Sequence, residues 1–119
     1  MAMHAGHWSL RGFGNWVIVR RLDGRVVGHA GLWEPDGWPG TEVAWTLCRD
    51  AWDQGYATEA GRAAEEWAWT NLDVDRLISV IAPANVASIR VAERLGMHHH
   101  RDTELLGQVV AVMGLNRPT

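Results

Sequence analysis

The chain has one cysteine, no long apolar run and no excess of positive charge, and each lack removes a class of function. A lone Cys48 excludes an internal disulfide and fits a reducing compartment. No motif pairs it with a base, so it reads as a small apolar strand residue and not as a nucleophile. No apolar run reaches the roughly 20 residues a spanning helix needs, and the start lacks a signal-peptide core. The expectation is a cytoplasmic protein with no membrane partner. A net charge of −3 and a pI near 6.0 carry no nucleic-acid footprint. Neither G-x-x-x-x-G-K-[ST] nor G-x-G-x-x-G occurs, which argues against a nucleotide P-loop or a Rossmann site.

What is present fits one domain over residues 1–119. A domain of this size buries roughly 65% of the surface its unfolded chain exposes, enough for a core without staples. Eight tryptophans read as core or interface anchors, since an indole brings large apolar area with a single donor.

The organising stretch is 41–69, TEVAWTLCRDAWDQGYATEAGRAAEEWAW. Val43, Trp45 and Leu47 alternate with Glu42, Ala44 and Thr46, the period of a half-buried strand. From Ala57 onward, Ala60, Gly61, Ala64, Trp67 and Ala68 recur at helical spacing. Between strand and helix, Gly55 allows close approach to the backbone and Ala57 adds only a methyl. Amide groups at a helix start have no internal partner and carry partial positive charge, which suits a phosphate. A tight connection with no ligand accounts equally well for these residues taken alone.

Around this centre, residues 15–22 and 25–33 read as a hairpin with a two-residue Asp23-Gly24 turn. Residues 1–14 read as an irregular lead-in. Gly28 and Gly31 in the second strand point to a bulge or close packing. Residues 34–40 are loop, in which Trp38 reads as packing on a hydrophobic edge, against the alternative of lining an acceptor site. Residues 76–82 form a strand apolar on both faces, ended by Pro83. Asn85 is placed to N-cap a helix that Gly96 closes in the left-handed conformation. Residues 97–104 and 108–113 read as two closing strands joined near Leu106-Gly107. His98, His99 and His100 are consecutive, so on a strand they cannot all face one metal, and no metal site is expected. The fold class expected is α/β (α+β), a mixed sheet with helices packed on it.

Two blocks carry a resemblance. Trp52-Asp53-Gln54-Gly55-Tyr56-Ala57-Thr58-Glu59-Ala60 resembles the acetyl-CoA pyrophosphate loop of GNAT-type N-acetyltransferases, patterned Gln/Arg-x-x-Gly-x-Gly/Ala. Asn85-Val86-Ala87-Ser88 and then Glu93-Arg94-Leu95-Gly96-Met97 resembles the signature of the branch containing ribosomal-protein alanine acetyltransferases (RimJ/RimL-like). The resemblance runs from about Trp8 to the C-terminus. It departs from the pattern at Trp52 and at Asp53, where glycine is usual and where an acid repels pyrophosphate unless it points away. Family members also carry a first strand and two helices ahead of the matching region, so the chain reads as short at its N-terminus.

The resemblance implies a mostly antiparallel sheet whose central strand and the next splay apart to admit the pantetheine arm of acetyl-CoA. It implies the thioester near the backbone of Thr46 and Leu47, where a bulge would free an N–H. The arm would run past Leu47, Cys48 and Arg49, with Arg49 contributing charge. The pyrophosphate would rest on amides of Gln54, Gly55, Tyr56, Ala57 and Thr58. Asn85 would hold the arm and Ser88 would protonate the thiolate, against the plainer reading of Asn85 as a cap and Ser88 as a first-turn residue. Tyr56, the only tyrosine, lies in the phosphate loop and is poorly placed as that acid. Glu42 would draw the proton from the amine, against the plainer reading of a solvated carboxylate. The activity implied is acetyl transfer to a primary amine, on a protein N-terminus or a small molecule. The competing expectation is a non-catalytic acyl-CoA-binding or protein-interaction module whose missing wall a partner supplies, a homodimer being one such arrangement.

Overall fold

The computed structural model of the protein describes residues 2–5 and 15–119. Seven strands form one sheet: β1 (Ala2–Ala5), β2 (Asn15–Val19), β3 (Val26–Trp33), β4 (Glu42–Leu47), β5 (Arg76–Ile81), β6 (His98–Leu105) and β7 (Gln108–Asn116). Their spatial order is β1-β2-β3-β4-β5-β7-β6. Every neighbouring pair is antiparallel except β4 and β5, which run parallel. Helix α1 (Tyr56–Asn71) packs on β3 and β4, and α2 (Val86–Arg94) lies against α1 and β5.

Part of the expected lead-in is a strand. The backbone of Ala2–Ala5 pairs with β2 and covers an edge that would otherwise present open N–H and C=O groups. The remainder of that lead-in, including Trp8, lies outside the described residues. The first hairpin also differs from expectation. Its loop is four residues long, closed by Arg20 N–H donating to the Arg25 carbonyl at 2.9 Å. The reason is Asp23, whose carboxylate accepts from the Arg20 guanidinium at 2.6 and 3.1 Å and from Arg25 N–H at 3.1 Å. Those bonds hold the exposed Asp23 carboxyl down at about 2, the Arg20 guanidinium contributing most.

The core forms where the apolar periods meet. Trp16, Leu32, Val43, Ala64, Ala68, Leu77, Ile81, Ala92, Met97 and Met113 make one cluster, with the rings of Trp16 and Trp67 edge-on at 5.4 Å. Ile18, Val27, Ala30, Ala51 and Ala60 make a second beneath the start of α1. Small residues dominate α1's buried face, which brings the helix close to β3 and β4. On β5, Leu77, Ile78 and Ser79 are consecutively buried, as a strand covered on both faces requires.

Gly28 fulfils the expectation of both a bulge and close packing. The β2–β3 register slips at Ile18/Val19, skipping Val27, and a Cβ on Gly28 would stand 2.1 Å from the Thr46 carbonyl oxygen. Backbone cannot yield as a side-chain tip can. Gly28→Ala is therefore expected to cost about 1–3 kcal/mol, read as a lower denaturant midpoint at unchanged slope.

One core group is out of keeping with its surroundings. Glu65 on α1 is buried, and its Oε1 has no hydrogen-bond partner among the described residues. Burial raises its pKa to about 7, with Glu66 adding to the rise and Arg62 opposing it. The folded chain thus holds a proton that the unfolded chain releases near pH 4.5. Stability should fall as pH rises from there through about 7 and level off above, by about 1–3 kcal/mol. Glu65→Met should flatten that slope in urea titrations at several pH values, and an unchanged slope would contradict the assignment.

Candidate functional site

The site begins where β4 and β5 part. Their ladder holds one register pair, Glu42 with Ile78, supported by Ile78 N–H donating to the Thr41 carbonyl at 2.9 Å. Beyond it, side chains continue the seam for one more step. Ser79 Oγ donates to the Val43 carbonyl at 2.7 Å, and Val80 N–H donates to Glu42 Oε2 at 2.7 Å. Past Val43 the strands separate. The gap, about 150 Å³, is lined by Glu42 through Trp45 on one side and by Ser79 through Ala82 on the other, with Asn85 and Ser88 at its end.

Glu42 is therefore buried, not solvated. Oε1 accepts from both the Trp33 and Trp38 indoles, at 2.8 and 2.9 Å, while Oε2 holds Val80. Burial raises its pKa, and the three donors oppose that rise. Trp38 packs on Trp33 with ring centroids 5.2 Å apart, so this loop indole serves the carboxylate as well as the packing.

Backbone parity decides what the splayed part of β4 offers. Cys48 N–H donates to the Val27 carbonyl at 2.7 Å, which turns the polar backbone groups of Cys48, Thr46, Ala44 and Glu42 toward β3. Those of Val43, Trp45 and Leu47 consequently face the parted side. The expected bulge in β4 is absent, because all six of its residues stay in unbroken register with β3. The groups left open come from β5's departure instead. Trp45, not Thr46, presents both N–H and C=O to the gap. The Leu47 carbonyl accepts the Trp52 indole N–H at 3.2 Å.

The gap opens into a cleft of about 270 Å³ between the end of β4, the start of α1 and one face of α2. Helix α1 starts at Gly55, whose φ of 79° favours glycine, and no side chain caps it. Glu59 N–H is the first amide bonded within the helix, to the Gly55 carbonyl at 3.0 Å. The amides of Tyr56, Ala57 and Thr58 are thus without helical partners at the cleft wall. On the facing side, Asn85 Oδ1 caps α2 by accepting Ser88 N–H at 3.2 Å, and both residues line the cleft.

Eight of the twelve residues expected from the sequence line this cleft: Thr46, Leu47, Gly55, Tyr56, Ala57, Thr58, Asn85 and Ser88. Glu42 lines the adjoining gap. Cys48, Arg49 and Gln54 lie outside both linings. Arg49 sits over the Trp52 ring at 5.2 Å, and the Gln54 amide turns back to the Asp50 carbonyl at 3.0 Å. Sequence reasoning missed Trp45, Arg90 and Arg94. Helical spacing from Ala87 through Val91 could have found the two arginines, whereas the side that Trp45 faces depends on how β4 pairs with β3. Among the described residues no cluster of His, Cys, Asp or Glu could hold a metal, and the three histidines sit on β6.

The family model for the acetyltransferase (GNAT) domain matches residues 1–98. The uncharacterized protein YkkB of Bacillus subtilis (strain 168) is 29% identical over 113 residues, covering 89% of this chain and 66% of YkkB. An acetyltransferase from Agrobacterium tumefaciens str. C58 superposes with a TM-score of 0.78 at 28% identity, over 88% of this chain and 61% of that one. The aminoglycoside acetyltransferase AAC(6')-Ib, solved with coenzyme A and kanamycin, shares the fold with a TM-score of 0.74 at 20% identity, over 88% of this chain and 67% of that one. The chain spans between 44% and 66% of the length of four curated relatives. A parted parallel seam beside an uncapped helix start thus accompanies a match over most of the sequence, and the chain belongs to the GNAT acetyltransferase domain family.

Proposed function

We propose that the domain transfers an acetyl group from acetyl-CoA to a primary amine, on a protein N-terminus or a small molecule. One observation carries this reading: the open amides of α1 and the unpaired backbone of β4 line a single cleft. The donor set fits the co-substrate. The Tyr56, Ala57 and Thr58 amides suit a diphosphate, and Trp45 and Leu47 offer an extended arm the backbone partners an added strand would use. Asp53 is the one carboxylate in the cleft lining.

Acetyl-CoA when bound supplies an activated acyl group, whose transfer requires a neutral amine, a donor for developing oxygen charge and a proton for the departing sulfur. A β4 amide facing the gap, at Trp45 or Leu47, serves as the oxygen donor. Ser88 lines the same gap, and its Oγ has no partner among the described residues, so it is the proton source within reach. Asn85 holds the first turn of α2 in place and borders both cavities. Glu42 takes the amine's proton, directly or through water. A carboxylate whose pKa burial has raised is a better base than a solvated one, and three donors fix its position. The second block, Asn85 through Met97, supports placing the chain in the RimJ/RimL-like branch.

Millimolar acetyl-CoA should raise the melting temperature, and a thiol-release assay across an amine panel should show turnover. Binding without transfer to any amine would favour the non-catalytic module, and no binding would remove the reading altogether. Glu42→Gln gives two separable outcomes. Its amide cannot accept from both indoles and from Val80 at once, so stability should drop by about 1–3 kcal/mol. Turnover per folded molecule should fall mainly below the amine's pKa, and a pH profile matching that of the parent would leave Glu42 a structural role only.

A further inference from the structure

The chain contains no lysine, so arginine supplies all 11 of its formal cations besides the N-terminus. Most of the described arginines are engaged. Arg20 and Arg25 pair with Asp23 and Asp50, and Arg49 lies on Trp52. Arg76 bonds Asn116, and Arg117 donates to the carbonyls of Leu72, Val74 and Trp69. Arg62 donates to the Arg94 carbonyl at 3.2 Å.

Arg21, Arg90, Arg94 and Arg101 have no such partner among the described residues, and of these only Arg90 and Arg94 line the cleft. They stand one turn apart on the α2 face that walls the cleft, opposite the α1 amides, and both are exposed. Among the described residues no carboxylate pairs with either guanidinium, and neither donates a hydrogen bond. Two like charges at this spacing repel each other by a few tenths of a kcal/mol in an isolated helix. The pair is therefore a cost to the empty protein that a bound anion would offset.

Which anion follows from the neighbouring donors. The α1 amides already account for a diphosphate, so the arginine pair faces a second, separate phosphate. Coenzyme A carries one, the monoester at the 3′ position of its ribose, and a dianionic phosphate presents the oxygens that planar guanidinium forks match. The outer groove between the helices, which Arg94 also borders, is a poorer place for it, because Glu59 and Glu66 line that groove beside Arg62 and Arg90 does not reach it.

We propose that Arg90 and Arg94 bind the 3′-phosphate of the acyl-CoA and make the protein select the 3′-phosphorylated cofactor over its dephospho form. The inference rests on the acetyl-CoA reading above. The test is a calorimetric comparison of acetyl-CoA with acetyl-3′-dephospho-CoA, on the parent protein and on the R90A/R94A variant. The parent should prefer acetyl-CoA by about tenfold or more, as expected for charge-assisted bonds. The preference should shrink between about 0.1 and about 1 M salt as screening shortens. In the variant the two ligands should bind alike, with dephospho affinity close to the parent's. Both side chains are exposed, so folding should be unaffected and the melting temperature serves as the control. Equal binding of both ligands by the parent overturns the inference while leaving the acetyl-CoA reading intact. So does an equal loss for both in the variant, which would place the arginines on the diphosphate. If the parent binds neither ligand, the underlying reading fails and the inference with it.

Discussion

The architecture depends on how β4 and β5 come apart without leaving buried polar groups unpaired. A parallel ladder that stops after one register pair exposes amides and carbonyls in the middle of a sheet, where each orphan costs about 1–3 kcal/mol. Two side chains absorb that cost. Ser79 reaches across to the Val43 carbonyl, and Glu42 takes the Val80 amide that the next rung would have used. Glu42 in turn needs its other oxygen satisfied, which the two indoles do. Four residues from four segments thus hold open a gap that backbone pairing would otherwise close.

The remaining parts place an uncapped helix start at the end of that gap. The small residues of α1 seat the helix low on β3 and β4, and Gly28 lets the two strands approach without a Cβ between them. The left-handed Gly55 then turns the chain so that the first amides of α1 face the cleft. Asn85 does the equivalent for α2, capping it where Ser88 and the arginine face border the same volume. The cleft wall is therefore built largely from element ends, with Trp45 and Arg90 added from within β4 and α2.

Much of this was legible in the sequence, because local chemistry decides it. The strand at β4, the helical spacing after Ala57, the Asn85 cap and the left-handed Gly96 all follow from a few neighbouring residues. The Leu106-Gly107 turn also lies where expected, both residues at positive φ. What was not legible depends on distant partners. Glu42 looks like a surface carboxylate until Trp33, Trp38 and Val80 converge on it from three segments. The first loop lengthened because Asp23 binds Arg20 and Arg25, a preference that outweighs the two-residue turn its neighbours encode. Parity on β4 is set by Cys48 bonding Val27, so Trp45 rather than Thr46 faces the parted side, and no property of residue 46 alone could show it.

The indole of Trp52 bears on how a guest strand is admitted. Its N–H sits on the Leu47 carbonyl, while its ring carries the Arg49 guanidinium. An incoming amide that needs that carbonyl must evict the indole, so one bond is exchanged for another and this rung adds almost nothing to affinity. Any net gain along the seam would then fall to Trp45, whose N–H and C=O both face the gap. A strand so admitted would be registered by Trp45, with the rung at Leu47 left nearly neutral.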